Sequence, residues 1–355
     1  MRAPAFWWRS PGPGASLLQP LGALYGAIAA RRMSQHGMRS PLPVICIGNF
    51  SVGGTGKTPF AIELARHLLR IGERPAFLTR GYGGTHPGPL IVEPSRHSAR
   101  DVGDEAGLLA RHAVTIVARA RDAGASLAAS VGASVIVMDD GLQNSSLAKD
   151  FTFAMVDGET GIGNGFCLPA GPLRAPLAAQ WPFVQAVVMV GKPRSSGQAL
   201  KEEATRRGLP VLPANLVPDP EVAAALRGQR VVAFAGIGRP EKFFASLQTL
   251  GALIVAQLGF GDHHRFTMRE LARVSSIARA HNAVLVTTEK DGLRVKGVIR
   301  PAPSNQPDSE GPAILGVRLL ELPVHLQVWE ETELQKLIAR ALFIRRGSGA
   351  EPARG

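Results

Sequence analysis

From Met1 to Ile62 the chain has no Asp or Glu, while Arg2, Arg9, Arg31, Arg32, Arg39 and Lys57 all fall in that span. An acid-free, arginine-bearing arm suits an anionic surface. Cysteine is nearly absent. Cys46 lies inside the apolar run Val44-Ile45-Cys46-Ile47 and Cys167 in a Gly/Pro-rich segment, so neither a disulfide framework nor a thiolate metal site is expected. Aromatics are scarce at 6%, which disfavours stacking on single-stranded nucleic acid. No internal repeat is present. The apolar run Leu17 to Ala30 is shorter than the roughly 20 residues that a membrane-spanning helix needs.

What remains is a folded, basic chain. Its 355 residues leave room for two domains, 45% of them are hydrophobic, and the formal net charge is +12. Such a balance implies an anionic partner: nucleic acid, an acidic membrane face or a phosphorylated substrate. Charge alone motivates the first, and no nucleic acid is expected. The run Leu17 to Ala30, with Trp7 and Trp8 nearby and arginines at both ends, reads best as a helix lying on a membrane surface. A terminal helix packed on the body is the plainer reading. A cleaved signal peptide is a third, with Ala27-Ile28-Ala29 resembling a cleavage site, but export would place a nucleotide site where ATP is absent.

Short β-rich runs alternate with helical patterns. Val44 to Ile47, Ala76 to Thr79, Thr115 to Ala118, Ser134 to Met138, Phe151 to Val156 and Ala186 to Val190 read as strands; Pro59 to Leu69 has helical spacing, with Ile62, Ala65, Leu68 and Leu69 on one side. Near-continuous Val/Ile runs separated by helices indicate a parallel sheet covered on both faces. A second unit begins near Val211 or Val231, with candidate strands Val231 to Ile237, Leu253 to Leu258, Ala283 to Thr287 and Val324 to Val328, and a helix over Thr267 to His281. The expected layout is an N-terminal arm over 1–40, a nucleotide domain over 41–210, a second α/β domain over 211–345 and a disordered tail over 346–355. Pro301 to Pro312 reads as a loop.

The stretch GNFSVGGTGKTP, Gly48 to Pro59, approximates a phosphate-binding loop, although Ser51 stands where the strict G-x-x-x-x-G-K-[ST] pattern has its first glycine. Ser51 and Val52 form the entrance. Gly53, Gly54, Thr55 and Gly56 allow amide N–H groups to converge on phosphate, and the following helix adds its positive end. Lys57 brings a mobile charge and Thr58 a hydroxyl for Mg²⁺. Such a site expects an acid at the end of a neighbouring strand, and Val135 to Met138 runs into Asp139 and Asp140. A capping Asp-Asp-Gly turn is the plainer reading of that pair.

The loop alone does not choose among kinases, GTPases and ATP-driven switches. The guanine-reading Asn-Lys-x-Asp is matched poorly by Thr287-Thr288-Glu289-Lys290-Asp291, where the lysine and aspartate are adjacent. For an acceptor base, the candidates are Asp104 and Glu105, and the cluster Asp262-His263-His264. A helix cap and a surface loop, respectively, are the alternatives. Arg80 and Arg174 lie in glycine loops that can reach an anionic group or carry a solvated charge.

In order, GNFSVGGTGKTP, LTRGYGG, VGDE, VMDDGLQ, PAGPLR, AFAGIGRPEKFF, GDHHRF and TTEKD resemble the tetraacyldisaccharide 4'-kinase family of lipid A biosynthesis, over roughly Leu17 to Leu342. The resemblance implies an α/β, P-loop NTPase-like fold with a doubly wound parallel sheet, a second, smaller α/β domain and an N-terminal membrane-contacting helix. It implies ATP and Mg²⁺ as cofactors. The acceptor would be the 4'-hydroxyl of an acylated glucosamine disaccharide 1-phosphate, and the place the cytoplasmic face of the inner membrane among anionic lipids, peripherally or monotopically held. By motif, Lys57, Asp139 and Asp140 would be catalytic, with Thr58, Asp139 and Asp140 on the metal. Asp104 would be the general base and His263 its partner. Arg80, Glu105, Arg121, Gln143 and Arg174 would face the substrate. Two positions depart from the family pattern: Asn144 stands where His is frequent and Ala175 where Glu is frequent. A membrane-associated P-loop ATPase or GTPase switch without a small-molecule acceptor is the rival reading. It leaves Asp104, the histidine pair and the arginine loops unexplained.

Overall fold

The computed structural model describes residues 4–299 and 313–347. Among them the strands are β1 (Val44–Asn49), β2 (Pro75–Thr79), β3 (Leu90–Ile91), β4 (Val114–Val117), β5 (Val135–Asp139), β6 (Phe151–Asp157), β7 (Ala186–Val190), β8 (Val211–Pro218), β9 (Arg230–Ala235), β10 (Leu253–Gly259), β11 (Val284–Thr288), β12 (Ala313–Ile314), β13 (Val317–Leu322) and β14 (Val324–Val328). They form a nine-stranded sheet, ordered β14-β8-β7-β6-β1-β5-β2-β4-β3, and a five-stranded sheet, ordered β10-β9-β11-β13-β12. From β8 to β4 the large sheet is parallel; β14 and β3 run antiparallel at its two edges.

The large sheet is covered on both faces, as its unbroken apolar strands require. Phe60, Leu64 and Leu68 of the helix Lys57–Arg70 pack on one face with Ile45, Phe77 and Phe153; Met33, Trp181 and Leu200 cover part of the other. Each fully buried Leu or Phe contributes roughly 1.5–3 kcal/mol. The buried stripe of that helix is centred on Phe60, Leu64 and Leu68, so Leu69 lies exposed rather than on the core side. In the second sheet, Leu271, Val274 and Ala278 of the helix Met268–Ala280 pack on one face and Phe243, Phe244 and Leu247 on the other. Thr267 caps the former helix: its hydroxyl accepts from the Glu270 N–H while the Glu270 carboxylate accepts from the Thr267 N–H.

The expected boundary at residue 211 is corrected. β8 pairs with β7 and belongs to the nucleotide-side sheet, and β14 pairs antiparallel with β8, not with the second sheet. The helix Glu331–Gly347 then lays Leu334, Leu337, Ile338 and Leu342 on the core beneath the Lys57–Arg70 helix. The second domain is therefore an insertion between β8 and β14. An apolar strand reads the same whichever sheet takes it, so periodicity does not reveal the return. The helix also continues past the expected start of the tail at 346; residues 348–355 and the expected loop Pro301 to Pro312 lie outside the described residues.

The N-terminal helix, Pro13–Met33, packs through a seam of Ala15, Gly22, Gly26 and Met33. Gly22 and Gly26 lie against Cys167, Ala170 and Pro176, where a β-carbon would collide. The opposite stripe is apolar but exposed: Leu17 82%, Leu21 57%, Leu24 61%, Tyr25 41% and Ile28 47%. No helix among the described residues is long and apolar enough to cross a membrane.

Candidate active site

β1 sits where the strand order turns from one side of the sheet to the other, so a crevice opens at its carboxyl end. The phosphate loop occupies it. Gly53 and Gly56 have φ of +125° and +80°, a region closed to most side chains, so glycine is required at both. Ser51 makes no such demand. It forms a bridge with Leu173, the Val52 N–H donates to Pro172 O at 2.9 Å, and the Arg174 N–H donates to Phe50 O at 3.0 Å. The loop entrance is thus stitched to the segment Ala170 to Arg174 by extended backbone. Lys57 and Thr58, both buried, open the helix.

Parallel pairing of β1 with β5 places Asp139 beside Ile47 at the same end of the sheet. Asp139 is 1% exposed, and neither carboxylate oxygen has a hydrogen-bond partner. Burial, then the charges of Glu105 and Asp140, push its pKa up to about 7. Asp140 takes a φ of 52° and goes elsewhere. Its two oxygens accept from Arg174 Nη1 at 2.9 and 3.0 Å, and Lys57 Nζ lies 3.7 Å away. Burial works to raise the Asp140 carboxyl, but Lys57 and Arg174 outweigh it and hold the group low.

A nucleotide-bound Mg²⁺ fits this donor set. Asp139 is a buried carboxylate that no protein group hydrogen-bonds, and Asn49 Oδ1 and Thr55 Oγ1 are buried without hydrogen-bond partners at the same loop. Among the described residues no group of three His, Cys, Asp or Glu can hold a metal by itself. Magnesium at phosphates needs only one or two protein oxygens, with water and phosphate supplying the rest.

Across the crevice, Asp104 heads the helix Asp104–Leu109 directly after Gly103 (φ 89°), where a β-carbon would strike Tyr82 O. His263 follows β10 in a loop, at φ 55°. For a non-glycine residue this is a strained conformation, held in place by its surroundings. His263 Nδ1 and Asp104 Oδ2 are 2.9 Å apart, from opposite domains. Burial works to raise the Asp104 carboxyl, but hydrogen bonds from His263 and Arg294 and the Arg294 charge bring it down to about 2. The bond to Asp104 raises His263 in turn. His264 is engaged elsewhere: its Nε2 is 3.0 Å from Glu270 Oε1 and its ring stacks on Phe260. Of the two histidines, only His263 reaches Asp104.

The remaining expected residues divide. Arg121 is buried; burial lowers its pKa to about 10, while Asp139 attracts it and Arg80 repels it. Its Nη1 donates to Ala118 O and its Nε has no partner. Arg80 is exposed at the end of β2. Gln143 was expected on the substrate side, but its amide N–H₂ donates to Asn49 O and Gln180 Oε1, both at 2.8 Å, bracing the loop entrance. Glu105 accepts from Lys290 Nζ at 3.0 Å, and that charge lowers it.

Sequence reading missed Lys290, Asp291 and Arg294, which approach from the second domain, and the ion pair of Arg239 with Asp157 at 2.6 Å. In the sequence the run Thr287 to Asp291 resembles, poorly, only a guanine reader. Lys290 and Asp291 are both spent on protein groups, which removes that reading. Helical spacing was the available signal, since Lys290 and Asp291 share a face with Arg294.

A family model described as tetraacyldisaccharide-1-P 4'-kinase (LpxK) matches residues 14–342. A tetraacyldisaccharide 4'-kinase of Methylobacterium nodulans is 56% identical over 296 residues, covering 83% of this chain and 88% of that protein. The corresponding protein of Xanthobacter autotrophicus is 52% identical over 344 residues, covering 96% and 97%. Among solved structures, Aquifex aeolicus LpxK in complex with ATP superposes with a TM-score of 0.69 at 26% identity, over 92% of this chain and 99% of that one. Motif order, two-sheet architecture and near-full-length identity agree, and the chain belongs to the tetraacyldisaccharide 4'-kinase family.

Proposed function

We propose that the protein is an ATP-dependent kinase that phosphorylates the 4'-hydroxyl of a tetraacylated glucosamine disaccharide 1-phosphate. Family membership supports the activity. The observation that carries the residue assignment is the Asp104–His263 contact between the two domains, next to Glu105, which feels the charge of Lys57. A switch protein needs no carboxylate held for an acceptor hydroxyl.

In this reading the Gly53 to Gly56 amides cradle the phosphates and Lys57 neutralises charge on the group being transferred. A divalent cation bound with the nucleotide would add charge stabilisation at the phosphate oxygens. Thr58 and Asp139 would hold it; Asp140 instead sets Lys57 and Arg174. Arg80, just after β2, and Arg121, opening the helix Arg121–Ser130 that follows β4, are neighbouring cations that would receive anionic groups of substrate or transition state. With Oδ2 of Asp104 occupied by His263, Oδ1 remains to accept the hydroxyl proton.

The substrate's acyl chains keep it in a bilayer, and the exposed stripe Leu17, Leu21, Leu24, Tyr25 and Ile28, flanked by Arg9, Arg31 and Arg32, is suited to the headgroup boundary of anionic lipids at the inner membrane. Leu21→Glu with Leu24→Glu, both exposed, is expected to keep the fold and to lower co-sedimentation with anionic vesicles severalfold. Unchanged sedimentation would remove the membrane role of this helix.

The activity is tested by measuring ATP consumption with and without the acylated disaccharide and resolving the lipid product by thin-layer chromatography. Lipid-dependent consumption with a more polar, phosphorylated lipid is expected. Substrate-independent hydrolysis without that product would favour the switch reading.

A further inference from the structure

Arg294 touches both members of the Asp104–His263 pair, yet the reaction as read above gives it no task. It belongs to the helix Glu289–Lys296 of the second domain and is only 9% exposed. Its Nε donates to Asp104 Oδ2 at 2.9 Å, and Nη2 meets the same oxygen. Nη1 donates to Gly236 O and to Asp291 Oδ1, both at 2.7 Å, and Nη2 lies 3.3 Å from His263 Nδ1. Asp291 is itself held by the Gly236 N–H at 3.0 Å and the Thr288 hydroxyl at 2.8 Å. The guanidinium is therefore clamped on one side by Asp291 and a backbone carbonyl, and its other edge meets Asp104. Arg294 and His263 converge on one oxygen. Among the described residues, Asp104 Oδ1 has no hydrogen bond.

We propose that Arg294 is a positioning residue for phosphoryl transfer: docked from the second domain, its fork pins Oδ2 of Asp104 and so presents Oδ1 to the acceptor hydroxyl. This rests on the reading of Asp104 as proton acceptor. A planar guanidinium fixes orientation as well as charge, which an ammonium cannot do. In the step served, the bond from acceptor oxygen to γ-phosphorus forms and the bond from that phosphorus to the bridging oxygen breaks. The electron pair leaves with ADP and the hydroxyl proton goes to Oδ1. Such a transition state is loose, so a held carboxylate of low basicity suffices.

The charged groups facing Asp104 are Arg294, Lys290 and Asp291 from the Glu289–Lys296 helix and His263 from the loop after β10; Asp262 in that loop acts on His263 and Arg294, and Glu105 follows Asp104 on its own helix. Without Arg294, burial raises the Asp104 carboxyl against only His263 and the more distant Lys290, so its pKa moves up. Activity needs the carboxylate and fails as pH drops through that pKa. The acidic limb of kcat/KM, below the working range in the wild type, then enters it.

The full-length enzyme is assayed with ATP and the acylated disaccharide as wild type, Arg294→Met, Arg294→Lys and Asp104→Asn. Arg294→Met is expected to lose kcat by roughly 10²-fold, as displaced reacting groups do, with KM for ATP unchanged and the acidic limb shifted up. Arg294→Lys should recover part of kcat and place the limb between the two. A limb that stays at the wild-type position in these variants would overturn the proposal, whatever the loss in kcat. If Arg294→Met does not fold, Arg294→Lys decides by the same criterion. Full turnover in Asp104→Asn would instead overturn the reading of the base; an inactive Asp104→Asn beside unmoved limbs overturns the Arg294 proposal alone.

Discussion

Lys57→Ala is expected to lower kcat/KM by about 10³-fold, the scale of losing a charge that acts on the transferring group in a water-poor site. The side chain is 9% exposed and stands 3.7 Å from Asp140. Asp140 keeps its two contacts with Arg174 when Lys57 is removed, so the carboxylate is not stranded and the loop should hold its shape. Gly53 and Gly56 still direct their amides, and nucleotide affinity should fall less than turnover. The measurement is initial-rate kinetics on lipid phosphorylation, with melting temperature as the fold control. Near-normal turnover in a folded variant would take Lys57 out of the reaction.

Asp104→Asn is expected to cut kcat roughly 10²–10⁴-fold while leaving KM for ATP in place, the range for loss of a positioned proton acceptor. Asparagine keeps the volume and one oxygen for His263 and Arg294, so geometry changes little and basicity disappears. Some stability is expected to go as well. Breaking a buried pair costs about 3–5 kcal/mol when a charge is left alone, and less here because Arg294 retains Asp291 and Gly236 O. A Tm shift without loss of turnover would mean that the carboxylate only joins the domains.

The donor half of the site was legible because it is local. Strand, glycine turn, Lys57, Thr58 and helix follow one another within a few residues, and Asp139 needed only the expectation that β5 lies beside β1. The tolerance of Ser51 was not legible, since it depends on the bridge to Leu173. The proposed acceptor half is written in pairs far apart along the chain: Asp104 with His263 at 159 residues, Glu105 with Lys290 at 185, and Asp104 with Arg294 at 190. No periodicity signals such a pair. Family motifs supplied the first, and geometry alone the other two. The domain limits failed for a related reason, as β8 and β14 carry no mark of the sheet that receives them.

That return of the chain also governs the order in which the protein can be completed during synthesis. The helix carrying Lys57 emerges early from the ribosome, yet part of its apolar bed, Leu326, Leu334, Leu337, Ile338 and Leu342, is translated only after the inserted domain. The nucleotide fold thus stays open on one face until the segment after the inserted domain has been translated, an interval in which uncovered apolar surface is prone to aggregation. A premature stop just before β14 would leave the second sheet's strands translated but the kinase core unsealed, so nascent chains should depend on holding chaperones in proportion to the length of the insertion.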